Sequence, residues 1–345
     1  MDLRSRLRSG IAPVLVLLAA VLVAGCETSP SVLNPKGPVA GTESNLFWII
    51  LGIATFIFVA VTSVLLYSIV RFRDRPGMPE PRQISGNNKL EIAWTIAPSI
   101  VLFVVLIFTI TYMFSLAEPT SASGNTLHIR AIGHQWWWEF QYEDSTGSGP
   151  MVVTGDELEV PVGTVVHVDL VSDNVIHSLW IPQLAGKTDV IPGHNNQLWF
   201  KADAKGTYRG ECAEYCGFQH AHMDFIVVAL PQDQYTTWLQ GQQLAAIAPT
   251  TDAQTAGQAA FKALGCTGCH QINSVNVNTR AVGPNLTHFG SRQLIAGGVL
   301  SNTQDNLTTW LNGPQVVKPG SDMVLPITPS AQQVSDLVAY LESLK

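Results

Sequence analysis

Cys212 to Met223 reads C-A-E-Y-C-G-F-Q-H-A-H-M, which places two thiols, two imidazoles and a thioether in one short segment. Thiolate, imidazole and thioether are the soft and borderline donors that select copper, whereas carboxylates and carbonyls suit magnesium or calcium. Zinc is content with four Cys and His ligands. A methionine three places after His220 argues for copper, because a thioether is a poor zinc ligand and a usual axial copper ligand. Upstream, His177 stands in D-N-V-I-H-S-L-W. The set Cys212, Cys216, His177, His220 and Met223 holds one thiolate more than a mononuclear blue-copper site needs. Two thiolates bridging two copper ions, each capped by one histidine, use every donor. The same residues also suit a Cys212–Cys216 disulfide in an oxidising compartment, with His220 and Met223 as ordinary residues. His222 falls outside the spacing.

The rest of the chain sets that segment in a membrane context. Hydrophobic residues make up 46% of the 345 and charged ones only 13%, a balance that leans toward a membrane protein. A net charge of −7 argues against nucleic acid as a partner and suits a surface that meets a basic protein. Residues 1–25 have a basic start (Arg4, Arg6, Arg8) and an apolar run too short to span, as in a secretory signal. V-A-G-C resembles a bacterial lipoprotein cleavage site, which would make Cys26 an acylated first residue; an ordinary signal cut nearby is the alternative. Residues 26–44 read as a polar, Pro-rich tether. Two charge-free runs, 46–70 and 92–117, each exceed the ~20 residues that cross a bilayer, giving a transmembrane hairpin over 45–118. The loop between them carries Arg71, Arg73, Arg75, Arg82 and Lys89, which places it in the cytoplasm and both chain ends in the periplasm.

From Thr126 to Leu230 short β-like runs are punctuated by Gly, Pro, Asp and Asn at intervals typical of an antiparallel sandwich. Ligands that bracket such strands fit a cupredoxin-like domain over 119–244. In G-H-Q-W-W-W-E-F the alternation of a strand puts Trp136 and Trp138 on one face and Trp137 on the other. Pro231 to Ala246 reads as a helix, and 245–251 as an Ala/Pro/Thr linker. A new all-α module, 252–345, opens on a helix leading into C-T-G-C-H. This is the c-type haem signal: Cys266 and Cys269 attach the haem and His270 is the proximal iron ligand. A zinc or redox C-x-x-C remains the alternative. Met323, in K-P-G-S-D-M-V-L-P, sits in the sort of loop that places methionine over haem in class I cytochromes c; His288 is a second candidate. Met/His ligation raises the haem potential.

The spacing C-x-E-x-C-x-x-x-H-x-x-M, with V-I-H upstream and I-P-G-H-N-N-Q-L-W-F between, resembles the CuA domain of cytochrome c oxidase subunit II over Leu46 to Leu230. With the C-terminal module the whole is similar to the caa-type arrangement, a subunit II carrying a fused cytochrome c. The resemblance implies a binuclear copper centre held by His177, Cys212, Cys216, His220, Met223 and the main-chain carbonyl of Glu214. It also implies a magnesium ion reached by the Glu214 side chain at the interface with subunit I. It makes Trp136, in G-H-Q-W-x-W, the residue where electrons enter the copper site, and Glu91, in E-x-x-W-T-x-x-P, the mouth of a proton pathway. By position alone Glu91 is equally a carboxylate at the headgroups near Lys89.

The implied function is electron delivery from an external donor, a soluble cytochrome or reductase complex, through haem c and copper to the haem of subunit I. Dioxygen would be reduced there with proton pumping, and subunit III is a further partner. The implied location is the bacterial inner membrane, with copper and haem domains on the periplasmic side. The family often has an acidic residue where this chain has Asn174, with Asp173 one earlier. A quinol oxidase subunit II lacks the copper ligands. A nitric oxide reductase subunit with CuA, and a copper-carrying assembly protein with a haem domain, are the other functions such a chain could serve.

Overall fold

The computed structural model describes residues 30–77, 79–80, 83–116, 126–143, 150–272 and 282–345. The signal segment and Cys26 therefore lie outside the described residues. Two long apolar helices come first: α1 (Pro38–Arg71) and α2 (Asn88–Ser115). At ~1.5 Å per residue, the 34 residues of α1 reach well beyond the ~30 Å of a hydrocarbon core. Its excess lies at the N-terminus. Val39, Ala40 and Ser44 are buried, Ala40 N donates to Leu184 O at 3.3 Å, and Lys36 N donates to Gln183 O at 2.7 Å. The helix thus begins eight residues before the apolar run, inside what the sequence suggests is a tether. Pro38 starts it and contact with the β-domain holds it. Asn87 caps α2, accepting from Lys89 N and Leu90 N, while Glu91 Oε1 accepts from Asn87 N at 3.3 Å.

Ten strands then build a sandwich: β1 (Leu127–His134), β2 (Trp137–Glu143), β3 (Pro150–Gly155), β4 (Glu157–Pro161), β5 (Val166–Ser172), β6 (His177–Ile181), β7 (Ala185–Val190), β8 (Asn196–Phe200), β9 (Gly206–Cys212) and β10 (Asp224–Leu230). One sheet has the order β3-β2-β1-β5-β8, the other β4-β10-β9-β6-β7. Most pairs are antiparallel, but β1 with β5 and β4 with β10 run parallel. Alternating residues mark a half-buried strand and leave its direction open, which is why the sequence suggests antiparallel pairing throughout. Trp138, Phe140, Tyr142, Phe200 and Phe225 are fully buried between the sheets. The tryptophan run is not one strand: β1 ends at His134, Gln135 and Trp136 form the turn, and β2 begins at Trp137. Trp136 is therefore free of the strand alternation that pairs it with Trp138 on paper.

Helix α3 (Gln232–Gln242) closes the sandwich, with Tyr235 buried. The C-terminal domain has its own core. Helices α4 (Asp252–Ala263) and α7 (Ala331–Ser343) cross where Gly257 would, with a Cβ, lie 2.7 Å from Tyr340 Cβ and press on Asp336 O. Only glycine lets the backbones approach so closely. Both helices start with complete capping boxes, from Thr251 and Ser330. A short hairpin, β11 (Leu294–Ile295) with β12 (Leu300–Ser301), precedes α5 (Gln304–Asn312) and the one-turn α6 (Pro314–Val317). Phe261, Leu307, Leu337 and Leu341 fill this second core, which is separate from that of the sandwich.

Candidate metal centre and haem pocket

The donors forecast from the sequence converge at one end of the sandwich. His177 opens β6 and is fully buried; Cys212 ends β9; Met223, fully buried, directly precedes β10. The loop between the last two is pinned at its base, where Cys212 N donates to Met223 O at 3.0 Å and Ala213 N to Ser178 O at 2.9 Å. Within it, Cys212 Sγ lies 3.8 Å from Cys216 Sγ, 3.9 Å from His177 Nδ1 and 3.2 Å from Glu214 O. Cys216 Sγ lies 3.7 Å from His220 Nδ1 and 3.8 Å from Met223 Sδ. Both thiols are free, so the disulfide alternative is not what the chain adopts. His177, Cys212 and Cys216 present their donor atoms within 4.8 Å of one another.

The charge state of this cluster asks for a cation. The Cys212 thiol is pushed well down, first by the hydrogen bond from Cys216 and also by His177, whereas the Cys216 thiol is pushed up beside that thiolate. Ionising Cys216 as well would set two thiolates in contact, a repulsion that bound metal cations would relieve. The donors are soft and mostly buried, which fits copper. His177 is oriented from behind, with Nε2 3.1 Å from Asn174 Oδ1, so the Asn174 amide stands where the family often has a carboxylate. His222 turns aside to Gln219 Oε1 at 2.6 Å.

Two supports had no signal in the sequence. Gly133 admits the His177 ring, because a Cβ there would be 2.7 Å from His177 Cδ2. Cys216 O accepts from Gln135 Nε2 at 2.7 Å and from Trp136 Nε1 at 3.0 Å. Gly217 follows at φ +114°, a conformation side chains rarely adopt, and a Cβ there would lie only 3.1 Å from both Gln135 Nε2 and Trp136 Cζ2.

In the C-terminal domain a largely apolar cavity of about 290 Å³ is lined by Cys266, Cys269, His270, Leu286, Trp310 and Met323. His270 Nδ1 is 2.9 Å from Pro284 O, and because a carbonyl only accepts, Nδ1 carries the proton and Nε2 is left as a donor to iron. Burial pushes the His270 pKa down, as a neutral iron ligand requires. Gly283 gives the ring its space. His288 is committed elsewhere, its Nε2 3.2 Å from Gln242 O and 3.1 Å from Leu244 O, which leaves Met323 as the candidate that lines the cavity. Two thiols, an imidazole, a thioether and an apolar wall suit a covalently held haem.

The sandwich supplies the far wall of this cavity, through Gln135, Trp136 and Trp137. Trp136 thus touches the haem cavity and, through Nε1, the backbone of a copper-loop cysteine. Glu214 is exposed, beside Tyr215 at 74% and Phe218 at 87% exposure, so this face of the loop is bare in the single chain.

Comparison with known proteins places these pieces in series. The model of the cytochrome c oxidase subunit II transmembrane domain matches residues 36–112, that of its periplasmic domain residues 127–230, and that of cytochrome c residues 254–345. The chain is 36% identical over 333 residues to cytochrome c oxidase subunit 2 of Alkalihalophilus pseudofirmus, covering 94% of each. It is likewise 36% identical over 346 residues to cytochrome c oxidase subunit 2 of Bacillus sp. (strain PS3), covering 95% of each. Among solved structures, the periplasmic domain of subunit II of cytochrome oxidase of Bradyrhizobium japonicum aligns at 28% identity with TM-score 0.33, covering 36% of this chain and 96% of that one.

Proposed function

The chain belongs to the cytochrome c oxidase subunit II family, in the form that carries a cytochrome c domain, and on that premise we propose how its residues divide the work. It is a membrane-anchored oxidase subunit, acting in a complex with other oxidase subunits, and it carries copper and haem. We assign a binuclear CuA centre to His177, Cys212, Cys216, His220, Met223 and Glu214 O, and covalent haem c to Cys266 and Cys269 with His270 and Met323 on the iron. When bound, the haem and the copper supply one-electron transfer, from an external donor toward the haem of subunit I.

The observation that carries this assignment is the double contact of Trp136, which lines the haem cavity and donates to Cys216 O. The partly buried indole thus bridges the cavity wall and the copper loop. Asn174 fixes the His177 ring, strands β6 and β9 carry His177 and Cys212, and the loop that holds Cys216, His220 and Met223 is pinned between β9 and β10, so the donor positions change little between oxidation states. Covalent attachment of the haem domain makes its encounter with the copper domain intramolecular, at an effective concentration set by the linker.

The bare face around Glu214, Tyr215 and Phe218 suits contact with subunit I, with the Glu214 carboxylate available to a magnesium ion at that interface. Subunit III is a further partner. Arg71, Arg73, Arg75 and Lys89 assign the loop between α1 and α2 to the cytoplasm, and so the copper and haem domains to the periplasmic side of the inner membrane. Cys26 is assigned a lipid anchor. Glu91 is assigned to the mouth of a proton path, a role compatible with its capping bond to Asn87 because that bond is exposed. The domain limits are assigned as 45–118, 119–244 and 252–345, joined by 245–251, with α1 reaching back from the first of these to Pro38.

Metal analysis and electron-spin resonance of the purified subunit test the assignment. The expected result is two coppers per haem iron, with the unpaired electron shared by both copper nuclei. One copper, zinc, or oxidised Cys212 and Cys216 without metal would sink the binuclear assignment.

A further inference from the structure

The two cores meet across a polar seam, and that seam is built from the cytochrome side by a lysine and a glycine turn. Lys318 is 3% exposed, and its Nζ is satisfied by main-chain carbonyls. It donates to Trp136 O at 2.6 Å, His222 O at 2.8 Å and Ala296 O at 3.0 Å. Those carbonyls come from the tryptophan over the haem cavity, from the copper loop between His220 and Met223, and from the tip of the β11–β12 hairpin. All three N–H directions of the ammonium are used.

The hairpin tip is shaped for the same contact. Ala296, Gly297 and Gly298 all have positive φ, at 59°, 70° and 82°. A Cβ on Gly297 would press on Lys318 and lie 2.7 Å from Trp136 O; one on Gly298 would lie 2.7 Å from Asp224 Cβ. Asp224 N donates to Gly297 O at 3.1 Å, and Glu157 Oε1 accepts from Gln293 N at 2.5 Å and Leu294 N at 2.7 Å.

We propose that Lys318 is a positioning residue: with the Ala296–Gly298 turn it latches the cytochrome domain over Trp136, so that electron transfer proceeds from a docked state. This rests on the haem-to-copper role given above and adds a device to it. A surface ion pair would weaken with salt. Three bonds to carbonyls from one buried ammonium are screened far less, so the latch holds across ionic strengths that release an ordinary charge-steered complex.

Backbone amides of Asp224, Gln293 and Leu294 donate across the seam, and their hydrogen exchange reports docking directly. In the assembled oxidase, Lys318→Met is expected to speed exchange at these amides roughly a hundredfold. Exchange at Leu337 and Val338 in the cytochrome core should not change. Gly298→Ala, which keeps Lys318 and wedges the turn off Asp224, should give the same pattern. Transient reduction of the haem should show slower haem-to-copper equilibration in both variants, with unaltered haem and copper spectra. Unchanged exchange at the three amides would overturn the latch; so would a rise shared equally by Leu337 and Val338, which marks loss of the core. If the wild type itself shows no haem-to-copper transfer, the functional assignment falls, while the exchange data still judge the latch.

Discussion

Replacing Glu159 by Gln should change the way stability depends on pH. Glu159 is 8% exposed, its Oε2 has no hydrogen-bond partner, and it shares strand β4 with the buried Glu157. Burial, and then the charge of Glu157, push its pKa from 4.5 up to about 8. A carboxyl whose folded pKa is raised binds its proton more tightly when folded. Stability is therefore whole below about pH 4.5 and falls as pH rises toward 8, where the folded group must also ionise. At ~1.4 kcal/mol per unit, the wild type should lose about 4 kcal/mol between about pH 5 and about pH 9 from this group alone. Gln keeps the shape and cannot ionise, so Glu159→Gln should lose that much less. Thermal unfolding of the sandwich, followed by tryptophan fluorescence at several pH values, measures the difference. Parallel pH profiles for variant and wild type would refute the account.

Other perturbations test other parts of the chain. His134 stacks on Trp137 at 4.3 Å; burial opposes its charge, but its Nδ1 bond to Asp173 and the nearby Glu139 carry the pKa up to about 9. Its contribution is whole below 6.5 and lost as pH rises through about 9, so Asp173→Asn should cost about 1 kcal/mol at neutral pH, discounted because Asp173 is half exposed, and nothing at high pH. Gly257→Ala gains about 1 kcal/mol of helix propensity but meets Asp336 O and Tyr340 Cβ, whose overlap costs about 3 kcal/mol; calorimetry should show net destabilisation of the haem domain. Trp136→Phe removes the Nε1 bond to Cys216 O, about 1 kcal/mol of support for the copper loop, and flash photolysis should show slower haem-to-copper transfer with an unchanged haem spectrum.

The parts legible in the sequence were those set by short-range chemistry. Donor spacing from Cys212 to Met223 and the run Cys266 to His270 announce which side chains come together, because each forms within a turn or two of chain. Apolar length announces the helix pair. Long-range pairing gave no such signal. Lys318 meets Trp136 across 182 positions and His222 across 96, and nothing around it marks it as buried. The run of three tryptophans misleads, since a turn at Gln135 and Trp136 interrupts the strand. Alternation on β1 and β5 is blind to their parallel pairing, and the start of α1 depends on the sandwich that its first turns touch. Gln135 and Gly133 are ordinary residues in sequence and become supports only once the copper loop folds over them.

The placement of Trp136 between two domains of one polypeptide has a consequence for which molecules this oxidase can recognise. In a two-protein system the acceptor face must stay open to a visiting carrier, and the two faces must remain matched although they are encoded apart. Here the visitor's place is filled from the same chain, so fit at that face is inherited as a unit. The haem domain's surface away from that contact can then change in sequence without disturbing the fit at Trp136.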